Sequence, residues 1–459
     1  MVAWSEVSKV CRDYMERRSG YARTNFPYYA LHDVPHLENV RHIGRELYST
    51  LGPRDPTLGP RDLRKYYFYG AFWDCSAYTH DLGMAVGPRE LDALGLHTSA
   101  LRDYLKAEET SAGRGLAGKL SKFPNFFTSY GDNKSFLEWG RVKIPEDVKE
   151  SDPAFAEFVR RIHPWISYEL VKKELAEELR DEFRERGRAM DYAKHVGLVA
   201  LLHWGAARLD LPPAVFEGYG VDFRFWGAVI MLADALDATE DRATRKLGYI
   251  RDVLKNDIGQ AVHMAFKILR KVRGVSHSES GVKIAYDRIV LDVGPGREEA
   301  ELLGFLLFEV GDNMYDDYKT AADALHASHG IRPPPLWIKA GDREESLEPY
   351  LLHLHEAHEK IENIKLTEDS PYIEELKRSG APKELVDLLA TAVEEGKKTT
   401  ESPQDKCQEK CEKKEGGYNP LDALAVAVLT QTPADGVVRL ILRDLDSREV
   451  EKLLKALAH

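Results

Sequence analysis

Cysteine is scarce in this chain, with four residues in 459. So few thiols over such a length make no disulfide framework, which excludes the small secreted folds that bridges staple together. No apolar run approaches the length of a membrane span. The opening segment, MVAWSEVSKVCRDYMERR, carries charges where a signal peptide needs its apolar stretch, so a cytoplasmic protein is expected. A basic excess is missing as well: 64 Lys and Arg stand against 76 Asp and Glu, a formal net charge of −12. A sequence-independent nucleic-acid binder needs a basic face, so that class is disfavoured. Glycine-rich dinucleotide patterns are lacking, and VGPG at Val293–Gly296 reads as a turn, not a phosphate loop. Asparagine and glutamine are few while 31% of residues are charged, a lean towards a thermophile.

What is present is 43% hydrophobic and 10% aromatic, the make-up of a soluble globular protein, and the length points to two or three domains. The rest is organised around Tyr66–Val86, YYFYGAFWDCSAYTHDLGMAV. This run is long enough for a buried helix, and its tyrosines and tryptophan suit an interior position with polar tips. It ends in an adjacent His80–Asp81 pair and then Gly83. A core helix has no packing reason to carry an imidazole and a carboxylate side by side at its end, whereas both are donors suited to borderline divalent metals. The alternative is a helix that simply ends at a polar surface.

Along the chain, residues 4–23 read as a first helix. Pro35 opens a second, with Leu37, Val40, Ile43, Gly44 and Leu47 as its apolar stripe and His36 at its start. His32 and Asp33 sit just ahead of it, placed to orient a substrate or cap the helix. Residues 87–160 are punctuated by glycine and lack sustained periodicity, so they read as an insertion, either a lid or a surface excursion without a role. Helical patterning resumes at Ala154, with His163–Pro164 interrupting it. One apolar helix then carries His203, and the next delivers Asp234 and Asp237 one turn apart. A carboxylate inside an Ala/Leu/Met helix is costly unless paired or metal-bound.

Beyond about residue 275 the pattern changes. VKIAYDRIVLDV alternates like one strand, or two around Tyr286–Asp287; a long helix ends at Gly330, and LWIKA is a short strand. Helical segments over 343–365 and 370–396, a charged linker near 397–417 and a helical tail complete the chain. The fold expected is mainly α: an all-helical domain over 1–250, a small α+β domain over 251–365, and a helical C-terminal tail over 366–459.

The donors on or beside apolar helices run His36, His80–Asp81, His163, His203, Asp234. This H…HD…H…H…D series resembles the HD superfamily of metal-dependent phosphohydrolases. PHLENV is similar to that family's first-histidine segment, THDLGM to its HD helix, and LADALDA to its closing aspartate segment. The resemblance covers about residues 1–250 and is nearest to a divergent branch sometimes found beside chaperone-type ATPase modules. It implies that His36, His80, Asp81 and Asp234 ligate a first divalent metal, with Asp81 bridging to a second held by His163 and His203. Manganese, iron, cobalt, nickel or zinc suit such donors, with magnesium also open. The cyclic-dinucleotide branch has a lysine where this chain has Met84, paired histidines where Leu202 and Trp204 flank His203, and a proline that is missing after Gly218–Tyr219. Arg242 follows the aspartate segment much as that branch's phosphate-binding arginine does, one residue closer.

Some readings stay open at this level. His203 suits a core histidine as well as a ligand, and His163 is less securely aligned than the others. Asp237 suits a supporting partner of the ligands better than a ligand. Arg41, Arg45, Lys194 and Arg208 would bind phosphate only if they are not ordinary surface charges. Cys407 and Cys411 lack further metal-binding partners nearby, and His353, His355 and His358 read as part of a solvated helix. The function expected is metal-dependent hydrolysis of a nucleotide or other small phosphorylated substrate, with catalytic roles for Asp81, His163, His203 and Arg242. The rivals are a single-stranded nuclease and a regulatory scaffold with a structural metal. No membrane contact is expected. A homo-oligomer, or a protein partner bound through the C-terminal region, is left open.

Overall fold

The computed structural model describes residues 2–19, 34–52, 63–86, 163–164, 166–203, 213–238, 282–295, 298–383, 385–387, 389–391, 393, 418–430 and 432–458. The proposed insertion at 87–160, the linker near 397–417 and the Cys407–Cys411 pair thus lie essentially outside the described residues. The chain is mostly helical and divides into two compact units. The first comprises Met1–Pro27, Leu31–Asp237 and Asp316–Pro333; the second comprises Tyr28–Ala30, Ala238–Tyr315 and Pro334–His459. Among the described residues no helix is long and apolar enough to cross a membrane.

In the first unit, α1 (Trp4–Ser19), α2 (Val34–Leu51) and α3 (Leu63–Thr79) pack together. The stripe read from the sequence of α2 is the face it buries: Leu37, Val40, Ile43, Gly44 and Leu47 are all inside. Gly44 sets how closely α2 meets α3, because a Cβ there would lie 1.8 Å from the Trp73 indole. The Trp73 Nε1–H donates to the Arg41 carbonyl at 2.8 Å, so the ring is fixed at both ends. Helix α3 is interior only from Phe68 onward, where Phe68 stacks on Tyr219 at 4.2 Å. Its first turn departs from the interior expected of it: Tyr66 and Tyr67 are 54% and 58% exposed. Burying a side chain such as Phe68 or Phe72 stabilises the fold by about 1.5–3 kcal/mol.

One feature escaped the sequence. Cys11 and Cys75, both buried, form a disulfide joining α1 to α3 across 64 residues of chain. A single bridge is no framework, and composition could not reveal it, since only the packing of two distant helices brings the thiols together.

Residues 166–170 are helical and lead into a π-helical turn, Val171–Leu175, whose Glu174 accepts a 3.0 Å hydrogen bond from the Tyr14 hydroxyl of α1. Helix α4 (Arg186–Leu202) follows, then a hairpin of β1 (Ala214–Phe216) and β2 (Tyr219–Val221), then α5 (Phe223–Leu236). The hairpin turns on Glu217 and Gly218, with φ of 51° and 84°, the twist that two-residue connections favour. Asp222 caps α5 by accepting the Arg224 and Phe225 amides at 2.9 and 3.2 Å.

In the second unit, β3 (Val282–Ile284) and β4 (Ile289–Asp292) form the two-strand option, antiparallel around Tyr286–Asp287. A continuous helical stretch follows: α6 (Glu299–Gly304), a π-helical segment Phe305–Met314, and α7 (Tyr315–His329), which belongs to the first unit from Asp316 on. It stops at Gly330, whose φ of +65° a side chain would resist. Strand β5 (Leu336–Ala340) then pairs parallel with β4. Arg343–Ser346 is not the start of a helix but strand β6, antiparallel to β5, because Gly341 at φ +61° turns the chain back onto a strand edge with amides to satisfy. Helix begins only at α8 (Leu351–Asn363), followed by α9 (Pro371–Arg378), α10 (Pro420–Thr430), α11 (Asp435–Leu445) and α12 (Arg448–Ala458).

Asp292, at the end of β4, accepts the Gly294 amide at 3.1 Å and the ammoniums of Lys283 and Lys339 at 3.3 and 3.4 Å. Burial alone would push its carboxyl up, but the amide and the two lysines override that and hold it below the usual carboxylate range. A carboxylate with a depressed pKa stabilises the fold above its unfolded pKa, and loses that contribution as pH falls through the folded value. Asp292→Asn should therefore cost about 1–3 kcal/mol in urea unfolding at pH 7. The gap to the wild type should close in strong acid; a gap that persists below pH 2 would show that charge is not its source.

Candidate metal centre

Two histidines stand where helices end. The last carbonyls of an α-helix have no partner within it. His80, one residue past α3, donates its Nδ1–H to the Ala77 carbonyl at 2.8 Å, and His203, one residue past α4, does the same to the Ala200 carbonyl. Each satisfies a helix-end carbonyl and leaves its Nε2 lone pair facing away from its own helix. Asp234 lies in the last turn of α5. His36 comes from the opposite kind of end, in the first turn of α2. Helix C-termini carry a partial negative charge, so the ends of α3, α4 and α5 meeting at one place favour a cation.

The donors converge on Asp81. Its Oδ2 lies 3.0 Å from His36 Nε2 and 3.3 Å from His80 Nε2; its Oδ1 lies 3.0 Å from His163 Nε2 and 3.4 Å from His203 Nε2. Asp234 Oδ1 is 3.4 Å from His36 Nε2 and 3.8 Å from His80 Nε2. Two groups result, each with donor atoms close enough to share an ion: His36, His80, Asp81 and Asp234, and Asp81, His163 and His203. The structure thus brings together the six residues named from the sequence. Sequence order alone could not rank His163, yet it now faces His203 with the two Nε2 atoms 2.9 Å apart.

The donor set fits a divalent cation. Among the described residues the buried His80 Nε2 has no hydrogen-bond partner, a costly state for a polar atom unless an ion takes the lone pair. Electrostatics separate the histidines. Burial works against a charge on His80, yet Asp81 and Asp234 beside it outweigh burial and push its pKa up to about 9. For His203, burial dominates, and His80 and His163 add repulsion, so its pKa falls below the usual value despite Asp81. Negative charge on the aspartates is thus in excess around His80, the imbalance a bound cation would relieve.

Several contacts support the donors, and of these the sequence suggested a supporting role for Asp237 alone. Gly83 sits in a 3₁₀ turn, Leu82–Ala85, and its amide donates to the Ser167 hydroxyl at 2.8 Å. A Cβ at Gly83 would lie 2.1 Å from the His163 carbonyl oxygen, so His163 reaches the site only because residue 83 has no side chain. Asp237 lies against His36, Oδ2 to Nδ1, at 2.6 Å. The only sequence signal for these was a glycine two residues after the aspartate and a second aspartate one turn past Asp234.

Other candidates fare differently. Arg45 grips the buried Asp74 through both oxygens, at 2.9 and 2.5 Å, and Arg41 donates to Glu38 at 2.8 Å. Both guanidiniums are thereby committed within the protein. Lys194 is exposed. Arg208, Arg242, His32 and Asp33 lie outside the described residues. The histidines of α8 correct the solvated-helix reading: His358 is buried, and His355 donates to the Gly311 carbonyl at 2.9 Å and stacks on Tyr315 at 4.3 Å. They join no three-donor group among the described residues.

No curated protein and no solved structure matches the chain. A family model does: HD-CE aligns with residues 26–287, a span that contains His36, His80, Asp81, His163, His203 and Asp234. That span is more than half of the sequence and carries an HD-type domain, so the chain belongs to the HD-CE family.

Proposed function

We propose that this chain is a metal-dependent phosphohydrolase that cleaves a nucleotide or another small phosphorylated substrate with water activated at the His/Asp centre. The observation that carries the reading is the double use of Asp81, whose Oδ2 faces His36 and His80 while its Oδ1 faces His163 and His203. A carboxylate shared in this way suits two adjacent cations. Structural metal sites are closed by protein ligands, whereas hydrolytic sites keep an open side. Here the His36 and His80 side chains are fully buried, while those of Asp234 and His163 are 26% and 15% exposed, which gives solvent and substrate an approach.

Divalent cations held there would supply a water acidic enough to ionise near neutral pH and would offset charge on the phosphoryl group. The chain's own part is to hold the donors still. His80 and His203 are fixed by helix-end carbonyls and Asp81 spans both groups, while the resemblance assigns the phosphate to Arg242. Manganese, iron, cobalt, nickel or zinc suit the imidazole and carboxylate donors. A small substrate is favoured because a net charge of −12 repels long polyanions. Met84, where the cyclic-dinucleotide branch has a lysine, is buried and offers a phosphate nothing. The same reading puts the chain in the divergent HD branch and in the cytoplasm, with the C-terminal region available to a second copy or a protein partner. The Cys11–Cys75 bridge pulls against a reducing compartment, where such bonds are rare.

The test is metal-loaded protein offered nucleotides, simple phosphomonoesters, a cyclic dinucleotide and labelled oligonucleotides at several salt concentrations. Small substrates should turn over fastest, and Arg242→Ala should lose about 1.5–3 kcal/mol of transition-state or substrate binding. Oligonucleotide cleavage that weakens steeply with salt, beside inert nucleotides, would make the protein a nuclease. No turnover with metal retained would make it a regulatory scaffold with a structural metal.

A further inference from the structure

Histidines 80 and 203 have their Nδ1–H tied to neutral backbone carbonyls. His36 is tied differently. Its Nδ1–H donates to the Asp237 carboxylate at 2.6 Å, and Asp237 in turn accepts the Asn39 side-chain amide on its other oxygen at 3.1 Å. Both the His36 and the Asp237 side chains are fully buried. Asn39 lies one turn after His36 on α2, so one helix supplies the imidazole and also the group that fixes its carboxylate partner. Asp237 itself stands just past α5, where its amide bonds back to the Asp234 carbonyl at 3.2 Å.

We propose that Asp237 is a positioning residue: with Asn39 it locks the tautomer and ring plane of His36 and, through its charge, makes His36 Nε2 a stronger imidazole donor than that of His80 or His203. A carboxylate on the far nitrogen of an imidazole pulls the Nδ1 proton towards itself, which raises electron density at Nε2 and tightens its hold on a cation. Burial magnifies the effect, since no water competes for either partner. The motif LADALDA thus has two separate duties on one helix end, with Asp234 facing the donors and Asp237 standing behind one of them. This inference rests on the metal-centre reading above and concerns the first group, the one to which His36 belongs.

The experiment is a cobalt(II) titration of chelator-treated full-length protein, followed by visible absorption and by calorimetry, in the wild type, Asp237→Asn and Asp237→Ala. Asparagine keeps an oxygen to accept the Nδ1–H but removes the charge; alanine removes both. The expected result is a graded loss confined to one of two ions, with binding weakened about tenfold in Asp237→Asn and towards 100-fold in Asp237→Ala. The cobalt band of that ion should shift, and the melting temperature of the metal-free Asp237→Asn protein should stay at the wild-type value. Wild-type cobalt affinity in both variants would overturn the proposal, as would equal weakening of both ions, which a merely structural residue would produce. If Asp237→Ala does not fold, Asp237→Asn decides alone, by selective weakening or its absence. A wild type that takes up no cobalt would sink the metal centre itself and this inference with it, a result distinct from variants that bind normally.

Discussion

Asp81→Ala is expected to empty both halves of the centre at once. Among the described residues it alone belongs to both donor groups, and its two oxygens lie between 3.0 and 3.4 Å from four imidazoles. Asp234→Ala touches only the first group and should leave the second ion in place. Elemental analysis of purified, metal-saturated protein separates the two: no metal in Asp81→Ala, one ion per chain in Asp234→Ala, two in the wild type. Stability should follow occupancy. A ligand at 100 times its Kd adds about 2.7 kcal/mol, so the wild-type unfolding midpoint should respond to added metal and that of Asp81→Ala should not. Turnover should fall by on the order of 10³-fold or more, because several kcal/mol of charge stabilisation disappear with the cations. A variant that still binds one ion with wild-type affinity would show that Asp81 is not shared.

Gly83→Ala should remove one ion by steric means, with every ligand left in the sequence. The added methyl would lie 2.1 Å from the His163 carbonyl oxygen, far inside contact distance, and the obstacle is backbone rather than a side chain that can swing away. Relief requires the His163 segment to move by about 1 Å, at a cost of roughly 1–3 kcal/mol, and that draws its Nε2 away from Asp81. The stoichiometry should drop from two metals per chain to one, with the first group intact. Gly70→Ala is the control: it lies on α3, upstream of the turn that holds Gly83, a Cβ there meets nothing within 4 Å, and it should keep both ions. It should also gain up to about 1 kcal/mol from better helix propensity. Two ions retained in Gly83→Ala would mean that His163 is not held by the close approach.

His36, His80, Asp81 and Asp234 stood out in the sequence because each sits in a context that packing alone does not explain, whereas His163 and His203 did not. His80–Asp81 closes an aromatic helix, Asp234 interrupts an apolar one, and His36 follows a proline that opens a third. Their elements were legible for the same reason, since the stripe on α2 and the apolar length of α5 fix helices whatever surrounds them. Strand β6 was misread because REES carries no apolar alternation; the open edge of β5 makes it a strand, and an edge partner is not a local property. The exposed Tyr66 and Tyr67 were misread because composition says how well a helix can be buried, not how far along its length neighbours reach.

By itself the sequence determined which residue types were offered and on which helix ends, because periodicity and capping act over a few residues. Only the tertiary structure decided how they were used. It joined Cys11 to Cys75, chose His163 as a partner of His203, turned Asp237 onto His36, and spent Arg41 and Arg45 on Glu38 and Asp74. Each of those choices depends on distances between segments far apart in the chain, set by close approaches such as Gly44 on Trp73 and Gly83 on His163. A glycine in a sequence says that a side chain is missing; only the fold shows what fills the space.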